Sequence, residues 1–176
     1  MNWMLLTYRL AAEPSRHRVA VWRELRRIGA LSLQQATWAV PARGDFIDAL
    51  SRAVSLVERA GGEALVFEAE PRGAEVESRL ERLFTAEREE EWREFLAECS
   101  KFDDEIEREI ATEKFTAAEL DEEEQNLDRL RRWFRELRGR DVFVATAQSA
   151  AEERLDECVE HLDRFAELVY EHGGER

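Results

Sequence analysis

Proline and glycine divide the first 72 residues into short segments, and this punctuation limits what the chain can fold into. The run Trp3–Tyr8 is apolar, aromatic and too short for a helix, which favours a buried strand. Pro14 and Ser15 follow, and apolar residues then recur at helical spacing until Gly29. The sequence therefore predicts a strand and then an amphipathic helix that opens at Ser15.

The segments that follow add a strand pair, a second helix and a last strand. Leu31–Gln34 and Thr37–Val40 are predicted to form a hairpin, although no Asn-Gly or Asp-Gly pair marks the turn. A second helix begins at Gly44 and ends before Gly61, and Ala64–Glu70 has the composition of a strand. The order β-α-β-β-α-β predicts an α+β fold with a ferredoxin-like antiparallel sheet.

The rest of the chain has almost continuous helical periodicity. Apolar residues at helical spacing over Ala74–Glu113 predict one long helix, with candidate breaks at Thr85 and Ser100. Thr116 starts a capping box that opens the next helix, and a last helix is predicted over Gln148–His172. The short segment between these two helices is predicted to be a link or a strand. Three to four helices of this kind predict a small bundle.

Two domains of different charge follow from these patterns. Residues 1–71 are predicted to form the ferredoxin-like domain, and residues 72–176 an acidic helical bundle packed on the first domain or on a second subunit. Residues 1–72 hold ten arginines against eight carboxylates, a net charge of +2, so residues 73–176 carry −16 and the whole chain −14. An acidic protein is a poor non-specific binder of nucleic acid, but a basic patch on the first domain stays open.

Composition excludes several classes of protein. No apolar stretch approaches the ~20 residues of a membrane span, and the N-terminus lacks the pattern of a secretory signal. We therefore expect a cytoplasmic protein with no membrane partner. Two cysteines, Cys99 and Cys158, are too few for a disulfide scaffold, and both fall on apolar faces of predicted helices. They are predicted to be reduced core residues.

The first predicted helix carries a basic stripe opposite its apolar face. At about 100° per residue, Arg16, Arg23 and Arg27 share one side, with Arg26 at the margin. Arg9 and His17 flank this stripe. Arg18 falls near the apolar face on the same projection, so it is expected either to extend its charge to solvent or to bind a carboxylate or an anion.

Catalytic signatures are missing from the sequence. It has no phosphate-binding loop, dinucleotide-binding glycine pattern, Gly-x-Ser-x-Gly motif or zinc-ligand spacing. Cys158 and His161, with Glu157 beside them, are spaced like half of a metal site, but no second helix supplies the other half. We therefore predict no catalytic residues, no metal and no cofactor, with the acidic runs forming solvated helix faces.

Three separated runs carry a resemblance to a known family. They are WMLLTYRLAAEPSRHRVAVWRELRRIGA, EKFTAAELDEEEQNLDRLRRWFRELRGRDVF and RLDECVEHLDRFAE. Together they resemble the N-terminal domain of the chromate-resistance protein ChrB over nearly the full chain. The resemblance implies a chromate-responsive transcriptional regulator or accessory factor encoded beside a chromate transporter. Full ChrB proteins continue into a C-terminal domain, which this chain is expected to lack.

The first seventy residues also resemble, more distantly, two other ferredoxin-like groups. These are the small nuclease-like subunit of CRISPR adaptation complexes and the central domain of PaaX-type repressors. Both have a strand that ends in a Tyr-Asp pair, whereas this chain has Arg9 after Tyr8. An arginine cannot ligate Mg²⁺, so this resemblance supports the fold and argues against metal-dependent nuclease chemistry.

Two hypotheses from different classes of function remain. The first is a regulatory homodimer whose basic stripe contacts the phosphates of operator DNA, with chromate as effector, through Arg16, Arg23, Arg26 and Arg27. The alternative for these four residues is a solvated face that forms salt bridges with the acidic half of the chain.

The second hypothesis is an oxyanion-binding protein that does not bind DNA. Arg9 and Arg18 lie near the end of the first strand and the start of the first helix, where arginines could hold chromate. A further alternative is a nuclease-like fold reused as a dimeric interaction module. None of these readings predicts an enzyme.

Overall fold

The computed structural model of the chain describes residues 1–173. These residues divide into two compact units, the first covering Met1–Phe84 and the second beginning at Thr85. The boundary predicted after residue 71 lies earlier, so the first turns of the long helix belong to the N-terminal unit. The predicted packing of one domain on the other stays a prediction.

The N-terminal unit has the predicted α+β architecture. Its sheet order is β2-β3-β1-β4, and all neighbouring strands are antiparallel, which is the ferredoxin-like arrangement. The predicted hairpin is confirmed, because Gln34 pairs with Thr37 across a two-residue turn. In chain order the elements are β1 (Trp3–Arg9), α1 (Ser15–Arg27), β2 (Leu31–Gln34), β3 (Thr37–Pro41), α2 (Gly44–Arg59) and β4 (Glu63–Ala69).

Glycine sets the ends of both helices in this unit. Gly29, with φ of 74°, donates its N–H to Arg26, and Ala30 donates to Leu25, which closes the last turn of α1. A side chain at Gly62 would place its Cβ 2.4 Å from the carbonyl oxygen of Arg9, so only glycine fits between α2 and the end of β1. The core beneath the helices includes the fully buried Leu6, Leu25, Val40, Ala53 and Val57.

Three helices, α3 (Ala74–Ala111), α4 (Ala117–Arg140) and α5 (Ala147–Gly173), make up the described remainder of the chain. The helix α3 runs without a break at either predicted position. Thr116 caps α4 as predicted, because its hydroxyl accepts a hydrogen bond from the N–H of Glu119 at 3.2 Å. The segment between α4 and α5 is a link, not a strand. Among the described helices, none is both long and apolar enough to cross a membrane.

The link before α5 is fixed by two side chains of α3, the buried Trp92 and the half-buried Glu89. Asp141 accepts hydrogen bonds from the indole N–H of Trp92 at 2.8 Å and from the N–H of Ala145 at 2.9 Å. The carboxylate of Glu89 accepts from the first backbone N–H groups of α5 at Thr146 and Ala147. These contacts satisfy backbone donors at the start of α5, which have no acceptor within the helix itself.

Candidate functional site

The arginines of the predicted basic stripe are exposed on α1. We call Arg16, Arg23, Arg26 and Arg27 the α1 arginine surface. Arg27 hydrogen-bonds Glu24 through two nitrogens, at 2.9 and 2.6 Å. Those bonds, together with Arg52, hold the pKa of Glu24 below its ordinary value. Within residues 1–173, neither Arg16 nor Arg23 forms an ion pair, so two guanidinium groups of this surface are available to an external anion.

An aromatic groove lies beside the α1 arginine surface. Trp22 follows the fully buried Val21 on α1, and its own side chain is 50% exposed. The indole lies one turn from Arg18 and one turn from Arg26 on the same ridge of the helix. The groove has a volume of about 470 Å³ and is lined by Tyr8, Trp22, Arg26, Ser32, Gln34, Gln35, Ala36 and Trp38. This side of the unit therefore combines positive charge with exposed aromatic area.

The helical projection placed Arg18 near the apolar face of α1, but the residue does not lie against the apolar core. Its side chain is exposed, and its charge acts on the phenol of Tyr8, whose pKa is raised by burial and lowered in part by Arg18. The helix projection gives direction only. It does not show how far the packed core extends along α1, and the first turn of this helix lies outside that core.

Arg9 lies in a setting that disfavours an anion. It is directly opposite Glu63 in the β1–β4 pairing. The cavity it lines, about 630 Å³ in volume, also contains Glu58. Two carboxylates beside one guanidinium repel an oxyanion. Arg18 does not line this cavity, so the structure does not bring Arg9 and Arg18 together in a single anion-binding site.

A second row of unpaired arginines, on α4, was missed in the sequence analysis. Arg129, Arg132 and Arg135 are exposed at successive turns, and within the described chain none of them forms an ion pair. They line a shallow groove with Gln125, Asn126 and Asp128. Their spacing of three residues is visible in the sequence, but the acidic charge of the whole C-terminal half concealed it.

The two cysteines are reduced and buried, as predicted. The structure adds that they meet, because the Sγ of Cys158 lies 3.8 Å from the carbonyl oxygen of Cys99. His161 does not complete a metal site with Cys158, since its Nδ1 donates to Asp103 at 2.8 Å. Among residues 1–173, no cluster of three or more His, Cys, Asp or Glu side chains is arranged to hold a metal ion.

Comparison with known proteins assigns the family. The chain matches the model of the family described as Protein ChrB, N-terminal, over residues 18–176. No curated protein matches the chain. The match begins after β1, and the distant resemblance of the first seventy residues to nuclease subunits and PaaX-type repressors stays a prediction. The chain therefore belongs to the ChrB N-terminal family and is a chromate-resistance-associated protein.

Proposed function

We propose that the protein is a non-enzymatic regulator of chromate resistance that binds DNA phosphates through the α1 arginine surface. The observation that carries the proposal is the exposure of Arg16 and Arg23 on a helix whose one acidic residue, Glu24, is already engaged by Arg27. Most protein–DNA hydrogen bonds go to phosphate and sugar, and arginine is a common donor to them. Unpaired guanidinium groups on one helix face suit that role.

The charge of the whole chain restricts how such binding works. A net charge of −14 repels DNA, so attraction must come from a local patch and depend strongly on salt. The exposed indole of Trp22 beside Arg26 adds flat apolar area, on which a base or sugar can pack. The described helices include no pair that we assign to a helix-turn-helix, so we propose phosphate contacts and not base recognition for α1.

The proposal includes a homodimer, which would place two α1 surfaces on one DNA. The exposed apolar side chains of β4 support self-association, since Leu65 is 60% exposed and Phe67 is 52% exposed on an edge strand. Edge strands with exposed apolar residues are surfaces on which another chain pairs. Chromate is proposed as the effector that releases DNA.

A second candidate is chromate binding without DNA binding. The exposed guanidinium of Arg18, close enough to Tyr8 to act on its phenol, favours this candidate because both side chains could donate to an oxyanion. The carboxylates around Arg9 count against its taking part. We rank this candidate second for that reason.

The test is a fluorescence-anisotropy titration of the whole chain against a duplex from upstream of its own gene, at several salt concentrations and with or without chromate. We expect binding that weakens steeply with salt and is released by chromate. The variant R16A/R23A should bind at least about tenfold more weakly. Its salt slope should fall by about two, because each lost phosphate contact removes roughly 0.9 from the slope.

The matched control removes the same charge elsewhere. The variant R129A/R132A loses two unpaired arginines from α4 and should keep its affinity within about threefold. Equal losses in both variants would show a non-specific charge effect and contradict the assignment to α1. Absence of DNA binding at low salt, together with chromate binding that R18A removes in calorimetry, would replace the first candidate with the second.

A further inference from the structure

Helices α3 and α5 bring two reduced thiols together in the core of the C-terminal unit. Cys99 and Cys158 are both fully buried, and the Sγ of Cys158 is 3.8 Å from the backbone oxygen of Cys99. They are separated by 59 residues in the sequence. Most buried cysteines are isolated apolar residues, whereas a contacting pair can be oxidised to a disulfide.

A charged cluster extends from this pair toward solvent. Asp103, one turn after Cys99, is buried and accepts a hydrogen bond from His161 at 2.8 Å. Arg154, one turn before Cys158, forms an ion pair with the same carboxylate. The side chains of Arg154 and His161 are 26% and 44% exposed. The buried thiols are therefore next to polar groups that reach the surface.

This environment makes the two thiols unequal. A hydrogen bond from Cys158 lowers the pKa of Cys99, and the charge of Arg154 adds to this against the effect of burial. The pKa of Cys158 is raised by the same contact and by burial. Because the thiolate is the reactive form of cysteine, Cys99 is the nucleophile of the pair and Cys158 keeps its proton.

We propose that Cys99 and Cys158 form a redox-sensitive dithiol that hydrogen peroxide oxidises to a disulfide linking α3 and α5. In the first step the sulfur of Cys99 attacks one peroxide oxygen, the O–O bond breaks, and the departing oxygen leaves as water after taking a proton. The new S–O bond makes Cys99 a sulfenic acid. In the second step the sulfur of Cys158 attacks that of Cys99, the S–O bond breaks, and the hydroxide takes the proton of Cys158 and leaves as a second water. The two thiols together lose two electrons and two protons, and the hydrogen peroxide takes them up and becomes two water molecules.

The site is distinct from the α1 arginine surface and does not rest on DNA binding. Transient opening of the bundle admits the oxidant, since local opening exposes buried groups at a cost below that of global unfolding. The oxidant enters on the side of the charged cluster, where Arg154 and His161 are partly exposed to solvent. The product is a covalent link between helices that are otherwise held by packing and by the contacts of Asp103 with Arg154 and His161.

The test treats the reduced full chain with hydrogen peroxide, blocks the remaining thiols under denaturing conditions, and measures intact mass and peptide maps. We expect loss of two hydrogens, no blocked thiols, and one peptide pair joining Cys99 to Cys158 within a single chain. Two blockable thiols after a dose that fully oxidises glutathione would overturn the proposal. A disulfide that joins two chains would overturn it as well.

Variants test the assigned roles. C158S should stop at a sulfenic acid on Cys99 that dimedone traps, whereas C99S should react at least about tenfold more slowly. R154M should move the pH midpoint of the oxidation rate upward, and R154K should restore it, a readout that a purely structural role would not change. Dimedone labelling of Cys158 in place of Cys99 would contradict the assigned order. Should a variant fail to fold, the peptide map of the wild-type chain still decides whether the disulfide forms.

Discussion

Arg23 and Arg88 are the same side chain in two opposite settings. Arg23 is exposed on α1 and, among the described residues, forms no ion pair. Arg88 on α3 is 1% exposed and donates to Glu91 at 2.8 and 3.3 Å. The acidic C-terminal unit thus encloses Arg88 among carboxylates, whereas the N-terminal unit leaves Arg23 exposed. The net charge of a segment does not reveal this difference, because the difference depends on which carboxylates lie within ion-pair distance of each arginine.

The setting of Arg88 couples three charged residues. Arg140 of α4 donates to the same Glu91 oxygen at 3.1 Å, so one carboxylate joins two arginines from different helices. Burial lowers the pKa of Arg88, and the carboxylate of Glu91 opposes that effect. A buried ion pair gives little net stability compared with apolar packing, but removal of one partner leaves an uncompensated charge. The enclosed arginine is therefore a structural residue.

The largest effect is expected from R88A. The substitution removes packing at a fully buried position and leaves Glu87 and Glu91 with one cation fewer. We expect the free energy of unfolding to fall by about 3 kcal/mol, the range measured for broken buried ion pairs. Urea unfolding followed by far-UV circular dichroism measures it.

The matched control for Arg88 is on the same helix. Arg93 also pairs with a glutamate three residues away, Glu90, but both side chains are more than half exposed. R93A should change the free energy of unfolding by less than about 0.5 kcal/mol. Similar losses in R88A and R93A would contradict the distinction between enclosed and displayed arginines.

Sequence reasoning recovers what depends on neighbours in the chain. The order of strands and helices along the N-terminal unit, the hairpin at Gln34–Thr37 and the cap at Thr116 follow from local patterns, and the structure confirms them. It does not recover contacts made by residues far apart in sequence. The meeting of Cys99 with Cys158, and of Arg140 with Glu91, depends on how helices are placed in space. The exposure of Arg18 and Trp22 likewise depends on where the core ends.

Within residues 1–173, the buried Glu123 of α4 forms no ion pair, and this gives the second prediction. Glu123 is 2% exposed, and its carboxylate accepts a hydrogen bond from the side-chain amide of Asn126 at 3.2 Å. Burial raises the pKa of Glu123, and the nearby charge of Glu105 raises it further. The folded state thus holds this proton above pH 4.5, the ordinary value, where the unfolded state has lost it.

The proton on Glu123 determines whether stability rises or falls with pH. The stability lost through Glu123 grows as the pH rises from 4.5 to its folded pKa, and is constant above it. E123Q should raise the free energy of unfolding at pH 7 by about 1 kcal/mol and flatten this part of the pH profile. The control E124Q alters an exposed neighbour that does not contribute to the raised pKa of Glu123, and should leave the profile unchanged. Destabilisation by E123Q at pH 7 would show that the carboxylate form is favoured after all.

The smallest effect is expected from R23A, and it separates binding from folding. Arg23 lies on the exposed face of α1 among other arginines, so alanine removes like-charge repulsion and slightly improves helix propensity. The free energy of unfolding should change by less than about 0.5 kcal/mol in either direction. A loss of DNA affinity in R16A/R23A can then be attributed to missing phosphate contacts and not to unfolding. A fall of more than 1 kcal/mol in the free energy of unfolding of R23A would mean that this guanidinium stabilises the fold. Arg23 would then be a structural residue like Arg88.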